Sequence, residues 1–108
     1  GGAILAEAEQ PRSAGRRVLP IVWQASARDD LLTIILYITK RNPAAARRLK
    51  GVVEEAVLPL AEHPYLFRPG RVPGTRELVA HPNYIIIYRV AEHAVEIVSV
   101  VHARQRYP

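Results

Sequence analysis

The sequence predicts an α+β fold with the element order β-α-α-β-β-β: a small antiparallel meander sheet, extended by the first strand, with an N-terminal helical hairpin packed on one face. Three observations predict it. Apolar residues recur at helical spacing over two neighbouring segments between residues 26 and 60. Two β-branched runs, 83–90 and 94–102, are separated by about three residues, as in a tight hairpin. A stretch rich in proline and glycine, 62–74, divides the helices from these strands and predicts an extended loop.

The first 17 residues differ in composition from the rest of the chain. They are rich in Gly, Ala and Glu, and a proline and a glycine interrupt any helix. We therefore assign residues 1–17 to a flexible N-terminal extension or a cloning remnant and place the folded domain at 18–108. Within that domain, the apolar stretch 18–26 predicts the first strand, with Trp23 packed on the core.

Two helices follow the first strand. Ser26, with Asp29 three residues later, resembles a capping box and predicts the start of the first helix. Asn42 and Pro43 predict the start of the second helix, with Asn42 as its N-cap, and Pro59 must end or kink it. The link of one or two residues between the helices predicts an antiparallel hairpin.

Three strands follow the proline-rich loop. The segment 75–81 is short, whereas 83–90 is almost entirely β-branched or aromatic, as in a central strand that is buried on both faces. In the hairpin that leads on to the last strand, Arg89 can pair with Glu96, which is an alternative to a role for Arg89 in binding.

The composition excludes several classes of function. The 108 residues contain no cysteine, so disulfides, thiol catalysis and cysteine-based zinc sites are excluded. Four histidines without metal-ligand spacing and the lack of a phosphate loop lead us to expect neither metal nor cofactor. No apolar run reaches the roughly 20 residues of a membrane span, and the N-terminus lacks the apolar core of a signal peptide. We therefore expect a cytoplasmic protein with no membrane partner.

The basic excess indicates an acidic or polyanionic partner. Fifteen Lys and Arg against ten Asp and Glu give a formal charge of +5 at pH 7, and all but two of these cations are Arg. The alternative explanation of the many arginines is a GC-rich genome, which favours Arg codons. The excess belongs largely to the C-terminal half, because residues 67–108 hold six Arg and three His against three acidic residues.

The end of the chain carries chemistry that a frayed terminus does not need. His102 follows an apolar strand and is closely followed by Arg104, Arg106 and Tyr107. Metal-free RNA cleavage requires a base, a proton donor and cations around the phosphate. His102 is the best acid–base candidate, because imidazole exchanges protons near neutral pH. The two arginines, together with Arg76, would supply cations, and the tyrosine would stack on a base or donate a proton.

The segments "RELVAHPNYIIIYRV" and "VEIVSVVHARQRYP", in this order of elements, resemble the RelE/ParE superfamily of bacterial type II toxins over roughly residues 18–108. The resemblance implies a growth-inhibiting toxin that is neutralised by a cognate acidic antitoxin wrapped over the basic face. RelE-like members cut mRNA in the ribosomal A site, whereas ParE-like members poison DNA gyrase without nuclease chemistry. We expect a ribosome-dependent mRNA endonuclease; a ParE-like gyrase inhibitor and a passive RNA-binding module are the alternatives.

The resemblance also implies site residues. His81, the pair Asn83 and Tyr84, and His102 match the pattern of the YafQ-like branch, although Asn83 stands where that branch has an acid. Ile85 departs from the RelE and YoeB branches, which carry an arginine there. The predicted residues are His102, His81, Arg104 and Tyr107 for catalysis, and Arg68, Arg71, Arg76, Arg89, Arg106 and Tyr84 for binding RNA or another target. In a nuclease of this type, replacing His102 with Ala is expected to abolish toxicity.

Overall fold

The computed structural model describes residues 18–105 and places two helices on one face of a five-stranded sheet. The predicted N-terminal extension lies outside the described residues, as do Arg106 and Tyr107. No helix in the described range is long and apolar enough to cross a membrane. The elements in chain order are β1 (Ile21–Trp23), α1 (Ala25–Thr39), α2 (Pro43–Ala56), a 3₁₀ turn (Leu58–Ala61), β2 (Arg68–Pro69), β3 (Arg76–His81), β4 (Tyr84–Val90) and β5 (Val95–His102).

The sheet has the strand order β1-β5-β4-β3-β2. Strands β3, β4 and β5 form an antiparallel meander, and β1 is added in parallel beside β5, with Ile21 opposite Val95. The predicted α+β fold is therefore confirmed. Strand β2, two residues long and antiparallel to β3, lies within the segment predicted to be only a loop.

The start of α1 corrects the prediction of a capping box at Ser26. The helix already begins at Ala25, so the first strand is shorter than predicted, and Gln24 is an N-cap without a side-chain hydrogen bond. The Ser26 hydroxyl instead donates to the backbone carbonyl of Val98 on β5, at 2.6 Å. Ser26 therefore lies in the first turn of the helix and not at the N-cap position, from which a side-chain oxygen accepts from an N–H of that turn.

The start of α2 confirms the sequence prediction. The side-chain oxygen of Asn42 accepts a hydrogen bond from the backbone N–H of Ala45 at 3.0 Å, and Pro43 occupies the first turn. The helix ends at Ala56, and the chain continues into the 3₁₀ turn that contains Pro59.

The main core lies between the helices and the sheet. It includes the fully buried side chains of Ile86, Tyr88 and Ile97 from the strands, with Val53 of α2 and Leu60 of the 3₁₀ turn opposite them. The meander, the parallel first strand and both helices all contribute to this cluster, which is why the layers form one unit.

The central strand β4 is buried on both faces, as predicted. Ile85 and Ile87 alternate along β4 with the residues of the main core. Together with Val101 of β5 they form a second buried cluster. This cluster lies on the face of the sheet that the helices do not cover.

Candidate functional site

Three aromatic rings lie side by side at the end of the sheet where β4 begins and its two neighbours finish. The ring centroids of His81 and Tyr84 are 5.8 Å apart, and those of Tyr84 and His102 are 5.4 Å apart. The strand register places Tyr84 opposite His81 on one side and opposite His102 on the other. The structure thus brings together three residues that the sequence predicted for one site.

A β-bulge in β3 places His81 in this row. Val79 lies opposite Ile85 and His81 lies opposite Tyr84, so Ala80 is an extra residue in β3. In an unbroken ladder Ala80 would take the position opposite the tyrosine, and the histidine would lie beyond the pairing.

The backbone holds both imidazoles in place. Nδ1 of His81 accepts a hydrogen bond from the N–H of Asn83 at 3.0 Å, and Nδ1 of His102 accepts one from the N–H of Arg104 at 3.1 Å. Because Nδ1 is an acceptor in each ring, the neutral imidazole carries its proton on Nε2. Nε2 is therefore the nitrogen that each ring offers to another molecule.

An open cavity of about 450 Å³ adjoins Tyr84 and His102. Helix α1 forms its other wall with side chains that include Asp30 and Tyr37. Among the described residues that line it, Asp30 alone carries a full charge, so the cavity wall is acidic and not basic. Across residues 18–105, no three His, Asp or Glu side chains gather as ligands of a metal ion would.

Asp30 is a residue that the sequence interpretation missed. Its Oδ2 accepts hydrogen bonds from the Ser99 hydroxyl at 2.6 Å and from the Val100 N–H at 3.1 Å, which fastens α1 to β5 just before His102. The available signal was an acidic residue on the inward stripe of the helix, one residue before the buried Leu31. A carboxylate at such a position needs hydrogen-bond donors from a neighbouring element.

The predicted binding arginines lie at the other end of the sheet. Arg76 opens β3 opposite Tyr88, and Arg89 follows that tyrosine on β4. At roughly 3.3 Å per residue, about 13–17 Å of strand separates this end from Tyr84. Arg68 on β2 pairs with the same end of β3, and Arg71 is an exposed residue of the loop that joins the two strands.

The predicted site residues therefore do not all lie together around His102. Strand β3 begins at Arg76 and ends at His81, and β2 pairs with the beginning of β3. Of the predicted cations, Arg104 is the described one that lies beside His102, in the turn that follows it.

Local partners hold each of the arginines at the far end. Nε of Arg89 lies 2.8 Å from the carboxylate of Glu96, so the ion pair predicted across the hairpin is confirmed. Nε of Arg68 lies 2.8 Å from Oε1 of Glu77, a buried residue that is only 5% exposed. The guanidinium of Arg76 donates at 2.7 Å to a backbone carbonyl of the loop before β2.

Tyr88 lies beneath that loop. Its side chain is fully buried, and its hydroxyl donates to the backbone carbonyl of Pro64 at 2.7 Å. Burial raises the pKa of Tyr88 above the ordinary value of 10.0, while the positive charge of Arg76 and hydrogen bonding to the loop backbone partly oppose the rise.

We expect ionisation of Tyr88 to destabilise the fold at alkaline pH. Since its pKa is raised in the folded state, its stabilising contribution is complete below about pH 10 and is lost as the pH rises through the folded-state pKa. Urea denaturation of the wild type and of Tyr88→Phe, repeated from about pH 7 to 11, measures this. The wild-type advantage in free energy of unfolding should be constant at the lower pH values and shrink at the higher ones. A constant advantage over the whole range would contradict the assignment.

Comparison with known proteins identifies one family of relatives. The family model described as "ParE toxin of type II toxin-antitoxin system, parDE" matches residues 21–107. Y4kP of Sinorhizobium fredii, named as a toxin, is 46% identical over 89 residues, which cover 82% of this chain and 92% of that protein. Toxin RelE2 of Caulobacter vibrioides is 40% identical over 85 residues, which cover 77% of this chain and 93% of the relative.

Solved structures share the fold. A chain of the chromosomal ParDE toxin–antitoxin system from P. aeruginosa superposes with a TM-score of 0.72 at 24% identity, covering 79% of this chain and 96% of that one. The solution structure of a conserved protein from Helicobacter pylori, HP0894, gives a TM-score of 0.53 at 14% identity, covering 82% of this chain and 99% of that one. Both superpositions extend over nearly the whole of the solved chains.

Proposed function

The chain belongs to the ParE toxin family of type II toxin–antitoxin systems, and from this premise we propose that it arrests growth by binding DNA gyrase and does not cut RNA. Membership of the family implies a cognate antitoxin as a partner. Gyrase is the target because ParE-like members of the superfamily poison this enzyme.

The observation that carries the proposal is the buried cluster of Ile85, Ile87 and Val101 on the face of the sheet opposite the helices. Cleavage of RNA builds negative charge on the phosphate oxygens, which cationic groups must stabilise. Ile85 occupies the position at which the RelE and YoeB branches carry an arginine, and here it is buried among aliphatic side chains. An aliphatic cluster offers no charge to a phosphate.

The cavity beside His102 supports the same conclusion. A phosphate that entered it would approach the carboxylate of Asp30, and two negative charges at short range repel each other. Of the predicted cations among the described residues, Arg104 alone lies beside His102, and Arg76 and Arg89 lie too far along the strands to add to its charge. Binding to a protein target requires no such cluster of cations.

A second candidate function is ribosome-dependent mRNA cleavage. The row of His81, Tyr84 and His102, with both Nε2 atoms available, favours it, because two imidazoles could act as acid and base about a bound nucleotide. The 40% identity to a relative named RelE2 is compatible with this alternative.

The two functions make opposite predictions for His102→Ala. We expect this variant, like His81→Ala, to arrest growth as the wild type does and to inhibit DNA supercoiling by purified gyrase at a similar concentration. Primer extension on a reporter mRNA during brief induction should find the message intact. Thermal unfolding of each variant, compared with the wild type, controls for loss of structure.

Cleavage of the message would contradict the proposal and favour the second candidate function. Cuts within the translated region that stop when translation is blocked, and that are absent with His102→Ala, would establish the endonuclease. A failure of the wild type to arrest growth at all would favour a passive RNA-binding module.

A further inference from the structure

We propose that residues 106–108 fold back into the open cavity beside His102, where the carboxylate of Asp30 binds the guanidinium of Arg106. The protein's own chain thus occupies this cavity. This placement is independent of the target that the toxin binds, and it gives Arg106 and Tyr107 a role within the fold.

The turn after β5 directs the chain toward this cavity. The N–H of Ala103 donates to the carbonyl of Asn83 at 2.7 Å, so it faces β4. Because successive N–H groups of a strand point to opposite edges, the N–H of His102 faces away from β4. There it donates to Oε1 of Gln105 at 3.3 Å, while the N–H of Gln105 donates to the carbonyl of His102 at 2.8 Å. Gln105 is thereby held at the edge of β5 that β4 does not cover.

Helix α1 lies along that same edge. The N–H of Val100, two residues before His102 and therefore pointing the same way, donates to Oδ2 of Asp30 at 3.1 Å. Both Gln105 and Asp30 line the cavity. Three extended residues span about 10 Å, and a sphere of about 450 Å³ is also about 10 Å across. Residues 106–108 are therefore long enough to cross the cavity from Gln105.

The charge of the cavity wall matches Arg106. The two groups that donate to Asp30, the Ser99 hydroxyl and the Val100 N–H, are both neutral. The ion pairs among residues 18–105 join other side chains, so this carboxylate keeps its negative charge. Arg106 directly follows Gln105, and its guanidinium can bind a carboxylate through charge-assisted hydrogen bonds.

The outer wall of the cavity offers a surface to Tyr107. Tyr37 lines the cavity together with Ile34 and is 60% exposed. The guanidinium carbon of Arg41 lies 4.4 Å from the centre of the Tyr37 ring, but Arg41 does not line the cavity, so Asp30 still sets the charge of its wall. Packing of the Tyr107 ring against Ile34 and Tyr37 removes apolar and aromatic surface from water.

Residues 106–108 have an advantage over any separate molecule at this site. They are joined to Gln105, which already lines the cavity, and a short tether gives an effective concentration on the order of millimolar. Segment 1–17 lacks this advantage, because β1 pairs with the start of β5, where Ile21 lies opposite Val95. At roughly 3.3 Å per residue, about 23 Å of strand separates Val95 from His102.

Occupation of the cavity shields His102. His102 and Tyr84 form the wall on the side of the sheet, and Nε2 is the nitrogen that His102 offers to another molecule. His81 belongs to the same row of rings but does not line the cavity, so its exposure does not depend on the segment. A filled cavity also has less room for a nucleotide, which is compatible with the proposed function.

Chemical modification of histidine measures this shielding. Full-length protein from cell-free synthesis is treated with diethyl pyrocarbonate near neutral pH, and peptide mass spectrometry gives the rates at His102 and His81. We expect Arg106→Gln to raise the rate at His102 about fivefold, and deletion of residues 106–108 to raise it at least about tenfold. The rate at His81 should not change.

Arg104→Gln is the matched control. It removes the same charge from the turn beside His102 but keeps the backbone N–H that binds Nδ1 of His102, and it leaves residues 106–108 in place. Both rates should equal those of the wild type. Thermal unfolding reports whether each variant keeps its structure.

Nuclear Overhauser contacts in the wild type locate the segment directly and need no variant to fold. We expect contacts from the ring protons of Tyr107 to the side chains of Ile34 and Tyr37. Their absence, together with equal rates at His102 in the wild type and in the folded variants, would overturn the inference. Contacts of Tyr107 with Ile85 or Ile87 would also overturn it, because they would place the segment on the opposite face of the sheet.

Discussion

Replacing Ile97 with Ala should lower the free energy of unfolding by about 2–5 kcal/mol, the cost of a cavity in a tightly packed core. Ile97 is fully buried in β5, where it pairs with Trp23 of β1 on one side and Tyr88 of β4 on the other. Since a domain of this size is stable by only about 5–15 kcal/mol, this one change should lower the urea midpoint markedly.

Two matched variants test the reason for the loss. Ile97→Val removes one methylene and should cost about 0.5–1.5 kcal/mol, whereas Val79→Ala on the same sheet, at a position that is more than half exposed, should cost less than about 0.5 kcal/mol. Equal losses from Ile97→Ala and Val79→Ala would mean that the core does not lie where the structure places it.

Replacing Arg68 with Ala is expected to cost about 1–3 kcal/mol because it leaves the Glu77 carboxylate buried without its cation. Among the described residues, Oε2 of Glu77 has no hydrogen-bond partner, so the bond from Arg68 to Oε1 is the side-chain contact that offsets the loss of hydration. Arg68 itself is more than half exposed, and solvent therefore screens part of the effect.

A double-mutant cycle isolates this pair. Combining Arg68→Ala with Glu77→Gln should recover more than half of the lost stability in urea denaturation, because the neutral amide carries no charge that needs a partner. If the double variant is as unstable as the two single losses added together, the ion pair does not account for the effect of Arg68.

Local patterns were sufficient to predict most of the fold. The β-branching of the last two strands and the short segment between them predicted their pairing, and Asn42 with Pro43 predicted where α2 begins. Ser26 did not behave as predicted because the helix begins one residue before it, and its hydroxyl donates instead to a carbonyl on β5, 72 residues away in the chain. A cap motif reports local preference, and a contact between layers can override it.

The sequence predicted the placement of part of the candidate site, for a related reason. His81, Tyr84 and His102 all lie next to strand ends, and antiparallel pairing brings such ends together. Arg76 begins the strand that His81 ends, so the two could not belong to one compact site. Asp30 could not be assigned from its helix alone, because its partners Ser99 and Val100 are donors on the sheet.

The parallel pairing of β1 with β5 has a consequence for how the toxin first appears in a cell. The strand near the start of the described chain finds its neighbour in the strand near its end, so the sheet closes only through a contact of very long sequence separation. A nascent chain that lacks β5 can form the helical hairpin but has no partner for β1. Toxicity should therefore require translation through β5, and fragments that end before Val95 should be inert.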